Sequence, residues 1–381
     1  MFEINEKKDC TGCYACSTIC PQDCISMESD NEGFWYPAVD YDKCTKCGLC
    51  EKVCPIIHST GVINTPVAYA AYNKDEKIRL DSSSGGVFTL LAEHVIYNGG
   101  VVFGVRFDDN FNVLHDYTET RDGLVQFRGS KYVQSKIGDS YKQIKEFLDK
   151  NRQVLFTGTP CQVGGLKSYL EQAYDNLFCI DNICHGVASP RVWLKYLSYQ
   201  ENRAGAPARK IAFRQKNEGW KRYSVSFLFD NDTEYCQTFD EDFYMRAFLR
   251  NICLRPSCYF CNFKTLHRQS DITLADFWGI GNVFPEMDDD KGTSLVFVNS
   301  NSGKKMLEEI KKRLEYKVVD INKAVSHNSS AIRSVAQNSK REFFFHELDQ
   351  LRFDRLVNKY CSDGIYIKCK KQILKLLPVI K

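Results

Sequence analysis

Neither sign of charge prevails in this chain. Over 381 residues, 51 lysines and arginines meet 48 aspartates and glutamates, leaving a formal charge of +3. So even a balance builds no strong field for nucleic acid or anionic lipid, and neither is expected as a partner. Long apolar runs are missing as well. The longest, Phe88 to Val105, is broken by Glu93, His94 and Asn98, so no membrane span is expected. Met1-Phe2-Glu3-Ile4-Asn5-Glu6 holds no basic stretch followed by an apolar one, so no secretory signal is expected and the expected location is cytoplasmic. Proline is scarce, at 10 residues, and glycine ordinary, at 23. With 43% apolar residues these proportions exclude collagen, disorder and a coiled-coil rod, and describe a folded chain of two or three domains.

What the chain has in excess is cysteine. There are 18, and half of them lie between Cys10 and Cys54. Without an export signal such density points to metal ligation in a reducing compartment and away from disulfides. Cys10-Thr-Gly-Cys13-Tyr-Ala-Cys16-Ser-Thr-Ile-Cys20-Pro21 and Cys44-Thr-Lys-Cys47-Gly-Leu-Cys50-Glu-Lys-Val-Cys54-Pro55 both follow C-x2-C-x2-C-x3-C-P. In that pattern three thiolates hold one 4Fe-4S cluster and the fourth cysteine ligates the other. The spacing therefore predicts one cluster on Cys10, Cys13, Cys16 and Cys54, and a second on Cys44, Cys47, Cys50 and Cys20. Two zinc knuckles would leave the third closely spaced cysteine and the prolines without a use. Cys24 falls outside the spacing and reads as a small buried residue.

Short strands at Cys24–Met27 and Trp35–Val39, turned by Asn31-Glu32-Gly33, complete a head over residues 1–58 that resembles the bacterial two-cluster ferredoxin domain. The head carries five lysines against ten acids, whereas the remainder is basic. That asymmetry suits docking of head on body, or of head on a partner. Beyond a linker near residues 59–66, Val67–Tyr72 reads as a buried strand. Asp81-Ser82-Ser83-Ser84-Gly85-Gly86 then opens a helix that leads to a strand at Val101–Arg106. A second strand, Val154–Phe156, runs into Thr157-Gly158-Thr159-Pro160-Cys161-Gln162 and another helix. Such turns present backbone N–H groups to an anion, although ordinary capping explains the first equally well. Neither a Walker loop nor a nicotinamide fingerprint is present.

A third group comprises Cys253, Cys258 and Cys261, with Cys184 some seventy residues earlier. By spacing alone these four suit a cluster and a structural zinc about equally, and the two upstream clusters favour a third cluster.

Taken in order, Ser84-Gly85-Gly86, Gly129-Ser130-Lys131-Tyr132-Val133-Gln134-Ser135, Phe156-Thr157-Gly158-Thr159-Pro160-Cys161-Gln162, Cys184-His185-Gly186, Arg255-Pro256-Ser257-Cys258-Tyr259-Phe260-Cys261, Ala275-Asp276-Phe277-Trp278-Gly279 and Lys291-Gly292-Thr293-Ser294 resemble the family of coenzyme F-420 hydrogenase/dehydrogenase beta subunits. The resemblance implies an α+β protein: the ferredoxin-like head at 1–58, then a mixed α/β body carrying flavin and an iron–sulfur cluster. The body divides into an N-terminal part at 66–180 and a C-terminal part with the third cluster at 181–360, and a basic terminal helix or tail follows at 361–381. It implies an FAD enzyme that moves electrons between clusters and a small organic acceptor, with Ser84, Gly85, Gly86, Gly129, Ser130, Lys131, Tyr132, Thr159, Pro160, Cys161 and Gln162 about the flavin. Cys184, Cys253, Cys258 and Cys261 match the core-cluster ligands.

On this reading Lys131 stabilises negative charge on the flavin, and His185 or Cys161 supplies a proton. The competing readings are a solvated Lys131 and a His185 that packs beside the cluster. The hydrogenase subunits draw electrons from partner subunits, whereas this chain brings its own head, which leaves the deazaflavin substrate open. A redox partner protein or external ferredoxin is expected, and oligomerisation is possible. The alternative is an electron-transfer subunit of a larger redox complex with no substrate of its own.

Overall fold

The computed structural model describes residues 4, 6–58 and 61–362. The expected basic tail lies almost wholly beyond residue 362 and outside the described residues. In the head, β1 (Ile25–Ser29) and β2 (Trp35–Val39) pair antiparallel, with Ile25 opposite Val39. Asp30 Oδ1 closes the turn by accepting from the backbone N–H of Glu32 at 3.0 Å and Phe34 at 2.9 Å, and Gly33 takes φ 88°. The two cysteine loops share a backbone course. Gly12 and Lys46 have φ 67° and 57°, and Tyr14 and Gly48 have φ 70° and 77°. A short helix follows in each repeat, Ala15–Ile19 and Leu49–Lys52.

The body strands are β3 (Val67–Asn73), β4 (Val101–Phe107), β5 (Val113–Thr118), β6 (Val154–Thr157), β7 (Leu177–Asn182), β8 (Ala208–Gln215), β9 (Ser224–Phe229), β10 (Glu234–Thr238), β11 (Ile272–Asp276), β12 (Ser294–Val298) and β13 (Leu314–Val319). Eight of them form one sheet in the order β13-β3-β12-β11-β7-β6-β4-β5. Its centre, β4-β6-β7-β11, is parallel and its flanks are antiparallel.

The period-2 alternation of strands explains the two faces. Val102 and Leu155 pack under the helices Val87–Tyr97 and Asn301–Ile310. Val101, Phe103, Val154 and Phe156 pack under Ser140–Asp149 and Pro160–Leu170. The expected boundary near residue 180 falls inside β7, so both parts of the body contribute to one sheet. A second core joins β10-β9-β8 to the helices Pro190–Ala204, Phe243–Leu249 and Phe353–Cys361.

The head is docked on the body. Arg341 grips the Glu32 carboxylate at 2.7 and 2.5 Å, Ser189 and Arg191 donate to the carbonyls of Glu32 and Asn31, and Lys142 lies 3.5 Å from Asp23. These contacts realise the charge complementarity of acidic head and basic body. No helix among the described residues is long and apolar enough to cross a membrane.

Candidate functional site

Parallel strands carry a fold's ligand crevice at their carboxyl ends. Here the ends of β6, β7 and β11 deliver Thr157 to Gln162, Asn182 to Val187 and Asp276 to Trp278, and a cavity of about 660 Å³ opens among them. That size suits a cofactor or drug-sized ligand.

Of the residues expected about a flavin, Ser84, Gly86, Gly129, Ser130, Lys131, Tyr132, Thr159 and Gln162 line the cavity, together with Cys184 and His185. Gly85 does not. A Cβ there would stand 2.5 Å from the carbonyl oxygen of Ala71, and its N–H donates to Ser294 Oγ at 2.9 Å, so it serves close packing between β3 and β12. Pro160 and Cys161 also stay off the wall. They occupy the first turn of Pro160–Leu170, whose start is organised by Gln162 Oε1 accepting from Thr159 N at 2.9 Å, while Gln162 Nε2 donates to Ser135 Oγ at 3.0 Å. Ser83 Oγ, accepting from Ser130 N at 2.7 Å, ties the two glycine-containing loops together.

The expected proton-handling and charge-stabilising side chains are more constrained than the sequence suggests. Lys131 Nζ donates to the carbonyls of Gln126, Arg128 and Gly129 at 2.7, 3.2 and 3.3 Å, which spends its ammonium on closing its own loop. Desolvation lowers its pKa to about 7. Asn251 Nδ2 donates to the Ala336 carbonyl, which turns Asn251 Oδ1 toward His185 Nε2 at 2.7 Å. Nε2 is therefore the donor, and burial lowers the pKa of the ring, leaving a neutral imidazole with Nδ1 as acceptor.

The far wall of the cavity is built around Arg214, a residue that the sequence does not single out. Arg214 forms a two-pronged pair with Asp276 at 2.9 and 3.0 Å, donates to Tyr132 Oη at 3.1 Å, and lies 3.9 Å over the Tyr223 ring. Asp276 and Trp278 sit in a motif that the resemblance already contains, whereas nothing in the sequence pairs Arg214 with them. Arg128 also lines the cavity, and its Nε is buried without a hydrogen-bond partner.

The thiols fall into three sets. Cys10, Cys13, Cys16 and Cys54 act on one another electrostatically, and burial pushes the Cys13 thiol up to about 12. Gly12 N donates to Cys10 Sγ at 3.3 Å. The second set lies nearer solvent, with Cys47 exposed and Cys44, Cys50 and Cys20 partly so. Cys24 is buried, as expected, yet does not stand apart from this set. Its Sγ lies 3.3 Å from that of Cys20, and that contact, with a further influence from Cys44, raises its pKa to about 12.

In the third set the structure departs from expectation. Cys184, Cys258 and Cys261 come together with Cys161, which feels all three. Cys253 does not join them. It is 0% exposed in the apolar core, and the groups acting on it are Cys361 and Arg341. The reason is local: the bridge between Leu254 and Ala188 keeps that stretch in the core, and the chain turns toward Cys184 only at Pro256–Phe260. Cys161 stands in the first turn of its helix with its Sγ 3.1 Å from Thr159 Oγ1, but burial and the neighbouring thiols outweigh that helix end and push its pKa up. Val187 N donates to Cys258 Sγ at 3.4 Å. Among the described residues no three His, Cys, Asp or Glu side chains are drawn tightly enough for a single metal ion.

Helix Pro160–Leu170 also links two sets. A Cβ on Gly165, one turn beyond Cys161, would stand 2.8 Å from Cys13 Cβ. The buried head set is thus packed on the helix that carries a thiol of the third.

For the beta subunit of coenzyme F420 hydrogenase/dehydrogenase, the N-terminal model matches residues 68–140 and the C-terminal model matches 151–324, while a 4Fe-4S dicluster domain matches 9–56. The chain belongs to the family of coenzyme F420 hydrogenase/dehydrogenase beta subunits. Its head is a 4Fe-4S ferredoxin-like domain and its body is mixed α/β.

Among relatives, a subunit of the F(420)H(2) dehydrogenase of Methanosarcina mazei is 19% identical over 210 residues, 50% of this chain and 59% of that one. A coenzyme F420-dependent sulfite reductase from Methanocaldococcus jannaschii is 24% identical over 175 residues, 44% of this chain and 26% of that one. The chain therefore spans less than two thirds of either relative. A chain of the F420-reducing [NiFe] hydrogenase complex from Methanosarcina barkeri aligns with 16% identity and a TM-score of 0.46, covering 70% of this chain and 90% of that chain.

Proposed function

We propose that this family member is an FAD-dependent iron–sulfur oxidoreductase, in which ferredoxin-type clusters exchange electrons with a flavin that reduces or oxidises a small organic acceptor. One observation carries the reading: the cavity is walled by Cys184 of the third thiol set, and the helix bearing Cys161 of that set packs through Gly165 on Cys13 of the head.

The thiols suit the clusters assigned to them. Cys10, Cys13, Cys16 and Cys54 would hold the inner head cluster, Cys20, Cys44, Cys47 and Cys50 the outer one, and Cys161, Cys184, Cys258 and Cys261 the third. Cys253 is replaced by Cys161 in this assignment. Buried thiols with raised pKa values resist ionisation unless a cationic core compensates them, as iron does.

The cavity suits FAD in its size and charge. The unpartnered buried Nε of Arg128 offers a donor to a phosphate, and the loops at Ser83–Gly86 and Gly129–Ser130 stand beside it. When bound, a flavin joins one-electron carriers to two-electron chemistry. The chain's own contribution is orientation. Arg214 is held by Asp276, Tyr132 and the Ser83 carbonyl as a rigid wall, and neutral His185 presents Nδ1 as a proton acceptor.

A second reading, an electron-transfer subunit without a substrate of its own, draws on the exposed set around Cys47 and on the F(420)H(2) dehydrogenase relative, itself a subunit. Anaerobic purification of the full chain distinguishes the two. The proposed function expects non-covalent FAD and turnover of a candidate acceptor such as coenzyme F420 by the reduced protein alone. A flavin-free protein, or one that passes electrons only to a co-purifying partner, overturns it.

A further inference from the structure

The boundary between head and body encloses a cation that has no carboxylate partner among the described residues. Arg255 is 0% exposed. Its Nε donates to the Cys10 carbonyl at 2.9 Å, Nη2 to the Trp35 carbonyl at 3.0 Å, and Nη1 to Gln134 Oε1 at 3.2 Å. All three acceptors are neutral. The rings of Tyr36 and Phe34 lie 4.1 and 5.6 Å from the guanidinium and shut out water. The carboxylates of the neighbouring turn are engaged elsewhere, Glu32 by Arg341 at 2.5 Å and Asp30 by Lys7 at 2.5 Å.

A guanidinium does not shed its proton, and a lone buried charge is costly unless opposite charge stands near. The groups that can supply that charge are thiols. Arg255 stands within electrostatic reach of Cys10 on the head side and of Cys258 on the body side. Its own carbonyl accepts from Cys258 N at 2.9 Å. The site is also closed sterically, since a Cβ on Gly12 would stand 3.0 Å from Nη1.

We propose that Arg255 is a positioning residue that supplies the counter-charge of the inner head cluster and fixes that cluster against the third thiol set. The inference rests on the reading that Cys10, Cys13, Cys16 and Cys54 hold a 4Fe-4S cluster. Reduction adds negative charge to such a cluster, so a cation locked beside it in a dry site favours the reduced form and raises its potential. The outer set around Cys47 meets solvent, which screens the charge of the neighbouring Lys43 and Lys46. The arginine thus offsets the burial that would otherwise oppose reduction of the inner cluster, and so favours passage of electrons inward from the exposed set.

The test is a spectroscopic redox titration of the anaerobically reconstituted full chain, with iron counted first. In Arg255→Gln one head wave should shift so that the ratio of reduced to oxidised cluster at fixed poise falls about tenfold, equal to about 59 mV for one electron. The other head wave should stay within about twofold. Arg255→Lys keeps the charge and should restore most of the shift. An Arg255→Gln protein with full iron and unmoved waves overturns the inference, as does a Lys variant no better than Gln. If the Gln variant loses its iron, the Lys variant decides alone: wild-type potentials support the counter-charge, and a tenfold fall contradicts it. A double variant Glu32→Gln/Arg341→Gln breaks another docking contact without changing net charge and should leave both waves in place; movement equal to that of Arg255→Gln would assign the effect to loosened docking and overturn the electrostatic role. Head iron absent from the wild-type chain would sink the cluster reading itself, a result separate from all of these.

Discussion

The two cysteine repeats of the head follow one backbone course and meet opposite surroundings. Positions 12 and 46 are both left-handed, as are 14 and 48, although glycine stands at only one member of each pair. Lys46 and Tyr14 accept a conformation that costs a side chain about 1 kcal/mol or more. Both loops need the same turn, so the cradle is set by the repeat. Position in the relay is set by docking: Cys13 and Cys16 are each 9% exposed against the body, while Cys47 is open to solvent. A duplicated motif has thereby acquired an inner and an outer end.

Gly165→Leu is the change expected to break this contrast most severely. A side chain at Gly165 meets Cys13 Cβ at 2.8 Å and must push the head outward. Electron transfer from head to body should be nearly abolished while the outer loop keeps its iron, as followed by rapid mixing with a reduced ferredoxin. Next in size is the contrast between Cys161→Ala and Cys253→Ala. Wild-type protein should carry about twelve iron and twelve acid-labile sulfur per chain, from three clusters of four. Cys161→Ala should fall to about eight, whereas Cys253→Ala should keep its iron and lose about 1–2 kcal/mol in denaturant unfolding from the space left in the core.

A smaller effect concerns pH. Lys131 has a folded pKa lowered to about 7, below its unfolded value, so between those values the unfolded chain binds more protons. Its desolvation cost is therefore full below about pH 7 and is relieved as pH rises. Unfolding curves at pH 6.5 and 9 should show wild type gaining on Lys131→Met by less than about 1 kcal/mol per pH unit. Cys24→Ser should have the least effect and leave the iron count unchanged, despite the contact with Cys20. Loss of iron there would make Cys24 part of the outer set.

Much of this arrangement is legible from residue order. The hairpin at Asp30–Gly33, the helices beginning at Val87 and Pro160, and the loops that wall the cavity are local consequences of turn chemistry and hydrophobic period. The third thiol set is misread from spacing for a physical reason. Spacing groups Cys253 with Cys258, but an extended bridge to Ala188 holds the first in the core before the chain turns. Cys161 comes from another strand–helix junction, and only the order of the parallel strands brings it to Cys184. Arg214 is missed in the sequence, and Arg255 appears there only as part of a motif, because their partners, Asp276 and the Cys10 carbonyl, lie 62 and 245 positions away.

The proposed inward route through the third set to a flavin is tested most directly by following the flavin absorbance band after mixing reduced ferredoxin with oxidised full-length Cys161→Ala protein that retains FAD. In that protein the head clusters should reduce at the wild-type rate while the proposed flavin stays oxidised throughout a wild-type turnover. Bleaching of the flavin at the wild-type rate, in protein shown to lack the third cluster's iron, would contradict it.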